Sequence, residues 1–271
     1  MKNYITLAVL VFWLTVFSFM CASLAFNIFS DQDDVKLGQQ LDEEIRSKPQ
    51  EYPILQNRSD VKNYVEQIGQ KILNSPNVKK RGIYAYKFEI IHDDSTINAF
   101  ATPGGYIYVY TGLLKFVDNE ATLAGIIGHE IAHAERRHAT QRLTKYYGAS
   151  ILLSIVLGEK PSQLAEIAAN LFTGLAFLAN SRADEKESDQ YSILYLKDTE
   201  YYPGAIKYFF DKIMAEKGVR GGSIERLLST HPLPQDRVDF VTQEMQKMGN
   251  PQPDESNLFA KRYQNFKATL P

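Results

Sequence analysis

The sequence predicts an α+β fold, mostly α-helical, with one small antiparallel β-sheet. Three observations lead there. Most apolar residues recur at i, i+3, i+4 spacing within proline-free runs, the period of helices with one buried face. Residues 86–112 break that period: "YKFEII" reads as a strand, and "INAFATPGGYIYVYTG" as a strand, a Gly-rich turn and a second strand. The composition is that of a globular chain long enough for one large core, with 271 residues, 44% of them hydrophobic and 23% charged. A net charge of −2 supplies no basic field for nucleic acid, so that partner class is excluded. The single cysteine, Cys21, allows neither a disulfide framework nor a thiolate metal cluster.

Residues 1–25 read as a signal peptide or an N-terminal membrane anchor, and residues 26–271 as one domain with its core at about 60–240. After Lys2 no charge occurs until Asp31, and small residues Ser23 and Ala25 precede Phe26, which suits cleavage after Ala25. The apolar stretch is also long enough to span a bilayer uncleaved. Lipid attachment at Cys21 is the weakest of the three readings, because Met20 stands where a small residue is expected. Lys2 before the stretch and Asp31, Asp33 and Asp34 after it put the body outside the cytoplasm either way. The expected setting is therefore the periplasm or cell envelope of a bacterium.

Two amphipathic helices follow at 33–46 and 59–74, with Val35, Leu37, Leu41 and Ile45, then Val61, Val65, Ile68 and Ile72, at helical spacing. In the strand region Tyr106, Tyr108 and Tyr110 share one face, and Ile107 and Val109 the other. Asp118 is placed to cap a half-buried helix running through "NEATLAGIIGHEIAHAERRHATQRL". The apolar stretches 149–157 and 164–179 are split by "GEKPS", so neither crosses a membrane. They read as buried helices, with lipid docking or a cover over a site as the alternative. "NSRADEKESDQYSILYL" and "YYPGAIKYFFDKIMAE" are further helices, "GVRGGS" a flexible loop, and "STHPLPQDRVDFVTQEMQ" a proline turn leading into a last helix. The tail, 249–271, is polar and reads as peripheral.

Chemistry concentrates in "GHEIAHAERRH", residues 128–138. On a helix, His129 and His133 project one turn apart from one face and can take adjacent corners of a zinc tetrahedron. Glu130 is offset around the helix, where its carboxylate reaches an activated water without being a ligand. The competing reading is a polar helix face on which HExxH arose by chance. A metzincin site needs glycine at 136 and histidine at 139, but Arg136 and Ala139 stand there, so His138 reads as a structural hydrogen-bonding residue. The third ligand is sought in "SRADEKESDQ". Glu185 and Asp189 lie four apart and so face one way, Glu185 as ligand and Asp189 as acceptor of a ligating histidine's free N–H. Glu187 points elsewhere and reads as solvated, and Asp184 has no acidic partner one turn later. Two histidines, one glutamate and a water describe an open catalytic site for one Zn2+, although the same donors accept cobalt or manganese.

With "NAFATPGGYIYVYTGLL", the HExxH helix followed by "RRH", "SRADEKESD" and "STHPLPQDR" in this order, the chain resembles the zinc metallopeptidases grouped with HtpX and the CAAX prenyl proteases. Its layout is most similar to the exported bacterial members of BepA/LoiP type. The resemblance runs over about 60–240 and implies an HExxH zincin (gluzincin-like) domain with Glu185 as third ligand. Ser188 stands where that family usually has alanine. The resemblance further implies that His231 lies near the metal, as a transition-state donor or a fourth ligand, and that Arg237 stabilises the site. A capping role in a proline turn is the plain alternative for His231. The "PGGYIYVY" strand reads either as an edge strand pairing with an extended peptide, with Gly104 and Gly105 permitting close approach and Tyr106 and Tyr108 beside it, or as an ordinary core hairpin. The expected function is an exported zinc endopeptidase acting on extended or unfolded chains, with membrane association through residues 1–29 or 149–179 as an option. A metal-containing assembly factor with a self-inhibited site is the second hypothesis, and a metal hydrolase of non-peptide substrates the third. Nothing in the sequence signals an oligomeric state.

Overall fold

The computed structural model describes residues 27–148, 180–216, 221–232 and 235–271. The expectations for residues 1–26, for 149–179 and for the start of "GVRGGS" lie outside these. No helix among the described residues is long and apolar enough to cross a membrane.

Helix α1 (Asp31–Ser47) starts at a capping box in which Ser30 accepts from the Asp33 backbone and Asp33 accepts from Ser30. Helix α2 (Ser59–Leu73) buries Val61, Val65, Ile68 and Ile72, the predicted stripe. Three strands follow: β1 (Lys87–Ile91), β2 (Ala99–Thr102) and β3 (Tyr106–Tyr110), with a 3-10 turn at Pro103–Gly105 between the last two. The β2–β3 hairpin is antiparallel, with Ala99 opposite Val109 and Thr102 opposite Tyr106. The third strand departs from the antiparallel expectation. β1 pairs parallel to β3, Lys87 opposite Tyr106, so the sheet is mixed, in the order β1-β3-β2.

This order corrects the edge-strand reading of "PGGYIYVY". β3 is hydrogen-bonded on both sides, and the sheet edges are β1, bridged at Ile91 to Ile54, and β2. Tyr106, Tyr108 and Tyr110 are buried against Leu37, Leu41 and Ile45 of α1, while Ile107 and Val109 face the main core. The core-hairpin alternative holds, because α1 covers the tyrosine face. Gly104 and Gly105 have positive φ, 76° and 89°, and serve the turn; a Cβ on Gly104 would meet the Asp34 carbonyl at 2.9 Å. Gly104 admits α1 and Gly105 the Tyr86 ring, which a Cβ would meet at 2.9 Å.

After α3 (Thr111–Phe116) comes the central helix α4 (Glu120–Glu135). Its cap is Asn119, whose side chain accepts from Thr122, and not Asp118. All of α4 is buried, where a half-buried helix was expected, because the sheet, α2 and the helices that follow surround it. It also ends earlier than predicted. Arg137 adopts the left-handed conformation (φ 65°, ψ 31°) and α5 (His138–Tyr147) departs in a new direction. Two contacts hold that turn: the Arg137 guanidinium donates to Asp34 at 2.6 Å and to the Phe29 carbonyl at 2.6 Å.

The remaining helices among the described residues are α6 (Arg182–Leu196), α7 (Ile206–Glu216), α8 (Gly221–Thr230), α9 (Gln235–Lys247), α10 (Glu255–Leu258) and α11 (Ala260–Lys267). The Gly-Gly-Ser of "GVRGGS" begins α8 instead of prolonging a loop. The polar tail is not peripheral. Tyr263 is fully buried, Phe266 stacks on Tyr64 with ring centroids 3.7 Å apart, and Arg262 pairs with the buried Glu120 of α4.

Candidate active site

The site forms where α4 and α6 cross. Small residues permit that approach: a Cβ on Gly128 would meet Ser192 Oγ at 2.9 Å, and Ser192 donates to the Gly125 carbonyl at 2.7 Å. His129, Glu130 and His133 project from α4, and Glu185 and Asp189 from α6. α6 itself starts at a capping box between Ser181 and Asp184, which gives Asp184 a cap role away from the site.

The side chains converge closely. His129 Nε2 and His133 Nε2 lie 2.9 Å apart. Glu185 sets Oε1 at 3.2 Å from the ring nitrogen of His133 and Oε2 at 3.5 Å from that of His129. His231, at the end of α8, brings Nδ1 to 3.1 Å from Glu185 Oε1. One donor atom from each of His129, His133, Glu185 and His231 lies within 4.8 Å of every other, and all four residues are buried. Asp189 Oδ1 is 2.9 Å from His129 Nδ1. Because a carboxylate only accepts, Nδ1 keeps its proton, and His129 Nε2 is the nitrogen that offers a lone pair once a cation displaces the second proton.

Arg237, the first buried residue of α9, donates to both Asp189 oxygens at 2.7 and 2.6 Å and to Glu185 Oε2 at 2.6 Å. Its guanidinium also stacks over Phe210, 4.4 Å from the ring centre. Asp189 and Glu185 against one arginine leave one negative charge in excess, which a proton on His129 balances when no metal is bound. Burial works against charge on Glu185, yet His231, His129 and His133 hold its carboxyl well below the usual range. Burial also opposes charge on His129, but Asp189 and Glu185 pull that ring up to about 9. The cluster therefore favours a cation, and two imidazole nitrogens with a carboxylate are the donor set of a zinc site.

Glu130 stands apart from these donors, 3.9 Å from His231 Nε2. Burial pushes its carboxyl up from the usual range. It lines a cleft together with Phe100, Ala101 and Thr102 of edge strand β2, His133 and His231. On its other side lies an apolar hollow formed by Ile126, Ile206, Phe209 and Leu227.

The structure thus brings together His129, Glu130, His133, Glu185, Asp189, His231 and Arg237, and leaves Gly104, Gly105, Tyr106 and Tyr108 in the core. Three neighbours escaped the sequence reading. Glu187 is not simply solvated: it accepts from His138 Nε2 at 2.9 Å and from Arg136 at 3.0 Å. Ser188 Oγ is 3.4 Å from His138 Nδ1, so the residue replacing alanine touches the site's surroundings. Asn180 sets its amide nitrogen 3.4 Å from both His133 Nε2 and His231 Nδ1. None has a spacing signal, because each meets its partner across separate elements.

A model of "Peptidase family M48" matches residues 59–245. The beta-barrel assembly-enhancing protease of Yersinia pestis is 29% identical over 210 residues, which cover 73% of this chain and 42% of that protein. That of Escherichia coli (strain K12) is 27% identical over 184 residues, 65% of this chain and 37% of its own length. The mitochondrial metalloendopeptidase OMA1 of Arabidopsis thaliana is 32% identical over 155 residues, 57% of this chain and 30% of its own. The chain therefore spans less than half the length of each of these relatives.

Proposed function

The chain belongs to peptidase family M48, and on that premise we propose that it is a zinc-dependent endopeptidase whose ligands are His129, His133 and Glu185. The observation that carries this reading is the buried convergence of those three residues beside a carboxylate, Glu130, that lines an open cleft. Zinc bound there supplies Lewis acidity that polarises a carbonyl and makes water a nucleophile near neutral pH. Glu130 takes a proton as the water oxygen bonds to the scissile carbon. It returns that proton to the amide nitrogen as the C–N bond breaks. Its raised pKa suits both transfers. His231 is placed to donate to the developing oxyanion, and Asp189 and Arg237 hold His129 and Glu185 in position.

We assign substrate binding to β2, the sheet edge that lines the cleft, in place of β3. An extended peptide adding beside Ala99–Thr102 would run along the cleft past Glu130. Asn98 Oδ1, just before β2, and Thr102 Oγ1, at its end, are buried without a hydrogen-bond partner among the described residues. Backbone pairing is tolerant of sequence, so extended, unfolded polypeptides are the proposed substrates. By analogy with relatives named for beta-barrel assembly, and from the apolar N-terminal sequence, envelope proteins are the proposed source.

Glu130→Gln is expected to lower cleavage of an unfolded protein such as casein by about 10²–10⁴-fold, with zinc content unchanged by metal analysis. Full activity in a pure Glu130→Gln preparation rejects the mechanism. His133→Ala is expected to lose zinc and activity together. One observation favours a second reading, an assembly factor whose site is self-inhibited: His231 sits close enough to the other three donors to serve as a fourth ligand. His231→Ala separates the roles, since faster cleavage marks an inhibitory ligand and slower cleavage a transition-state donor.

A further inference from the structure

His138 was excluded as a ligand by its spacing, yet it is 1% exposed and bonded at both ring nitrogens. Its Nε2 lies 2.9 Å from Glu187 Oε2. A carboxylate only accepts, so the neutral ring carries its proton on Nε2 and presents a lone pair at Nδ1. That lone pair is 2.8 Å from His133 Nδ1, and the Ser188 hydroxyl also approaches it at 3.4 Å. Two lone pairs do not meet at 2.8 Å unless a cation lies between them, and at this outer contact none of the other three converging donors is present, so His133 Nδ1 is the N–H. His133 then has its own lone pair on Nε2, the nitrogen that faces His129 and Glu185, where a cation shared by the donors would hold the two imidazole lone pairs together.

From this chain of donors we infer that Glu187 and His138 form a positioning relay that fixes the tautomer and ring orientation of His133 toward the metal. The inference rests on His133 being a metal ligand, as proposed above. Its counterpart is Asp189, which acts directly on His129. Both arrangements meet the same need, an acceptor for the N–H of a ligating imidazole. They differ in length, because no carboxylate reaches His133 Nδ1 and a second histidine carries the effect of Glu187 inward. The relay is held from both ends. Arg136 donates to Glu187 at 3.0 Å and stacks over Tyr191 at 4.8 Å. The left-handed turn at Arg137, tied to Asp34 and Phe29, starts α5 at His138. The N-terminal segment therefore helps to place a residue that touches a ligand.

The test is metal affinity, not turnover. Zinc binding by the full-length chain is measured in competition with a chelating dye, and the visible spectrum of the cobalt(II)-loaded protein reports ligand geometry. His138→Phe keeps the ring volume and removes the acceptor; it is expected to weaken zinc binding by about 10- to 100-fold and to alter the cobalt spectrum. His138→Asn sets an amide oxygen near the place of Nδ1 and is expected to restore most of the affinity. Glu187→Gln, at a partly exposed position, is expected to weaken binding less than His138→Phe and to lower the melting temperature of the metal-free protein only slightly. Wild-type affinity and spectrum in both His138→Phe and Glu187→Gln overturn the relay. So does an equal loss in His138→Phe and His138→Asn with a lowered melting temperature of the metal-free protein, which marks a packing role. A wild type that binds neither zinc nor cobalt rejects the metal centre itself, and the relay with it.

Discussion

Arg237 bears on the site more than its distance in sequence from HExxH suggests. It is 4% exposed and is the shared donor to Glu185 and Asp189. Burial pushes its own proton off, but the two carboxylates raise its pKa, so the charge is fixed. Arg237→Met keeps the apolar contact with Phe210 and strips the charge, leaving two buried carboxylates without their shared donor. The expected cost is about 3–5 kcal/mol in denaturant unfolding of the metal-free protein. Added zinc should recover part of that loss, because the ion binds only the folded chain. Loss of less than 1 kcal/mol would mean that water reaches the pair. Arg237→Lys is not expected to rescue, since one ammonium cannot reproduce three forked donors.

Helix crossing sets the reach of Glu185. α4 and α6 approach at Gly128, where an added Cβ would press Ser192 Oγ at 2.9 Å and Leu196 Cδ1 at 3.1 Å. Gly128→Val is expected to destabilise by about 1–3 kcal/mol and to move Glu185 away from the histidines. The loss of zinc affinity should then exceed that of an equally destabilising substitution remote from the crossing, such as Val241→Ala in α9. Equal effects would show that the crossing does not govern the ligand distance. The glycine beside the first histidine of HExxH thus has a packing reason visible only once α6 lies against it. The same contact explains why α4 is buried all round while its sequence reads as half-buried: its small residues face neighbours, not solvent.

At the scale of the molecule, the C-terminal helices close the core against α4, Tyr64 of α2 and the Leu114 carbonyl of α3. Burial pushes the Glu120 carboxyl up, but hydrogen bonds from Arg262, Tyr201 and Tyr64 outweigh it and leave the pKa below the ordinary 4.5. A carboxyl depressed on folding stabilises at pH values above its unfolded pKa, and the contribution fades as pH falls through the folded value. Acid unfolding of the wild type is therefore expected to include loss of this clamp below about pH 4.5. Glu120→Gln should be less stable by about 1–3 kcal/mol at neutral pH, and the gap should narrow in acid. A gap constant down to pH 3 would refute the clamp. What the sequence determined is local: the helical stripes at Val61 to Ile72, the capping of α1 and α6, the i, i+4 pairs His129/His133 and Glu185/Asp189, and the strand hairpin. Each depends on chain neighbours a turn or two apart, so residue order alone encodes it. Only the tertiary structure decided that β2 and not β3 is the open edge, that Glu187 reaches His138, that His231 joins the donors, and that Tyr263 and Phe266 belong to the core. Those outcomes depend on which surfaces meet when distant segments bury their apolar faces, and no periodicity within one segment records its partner.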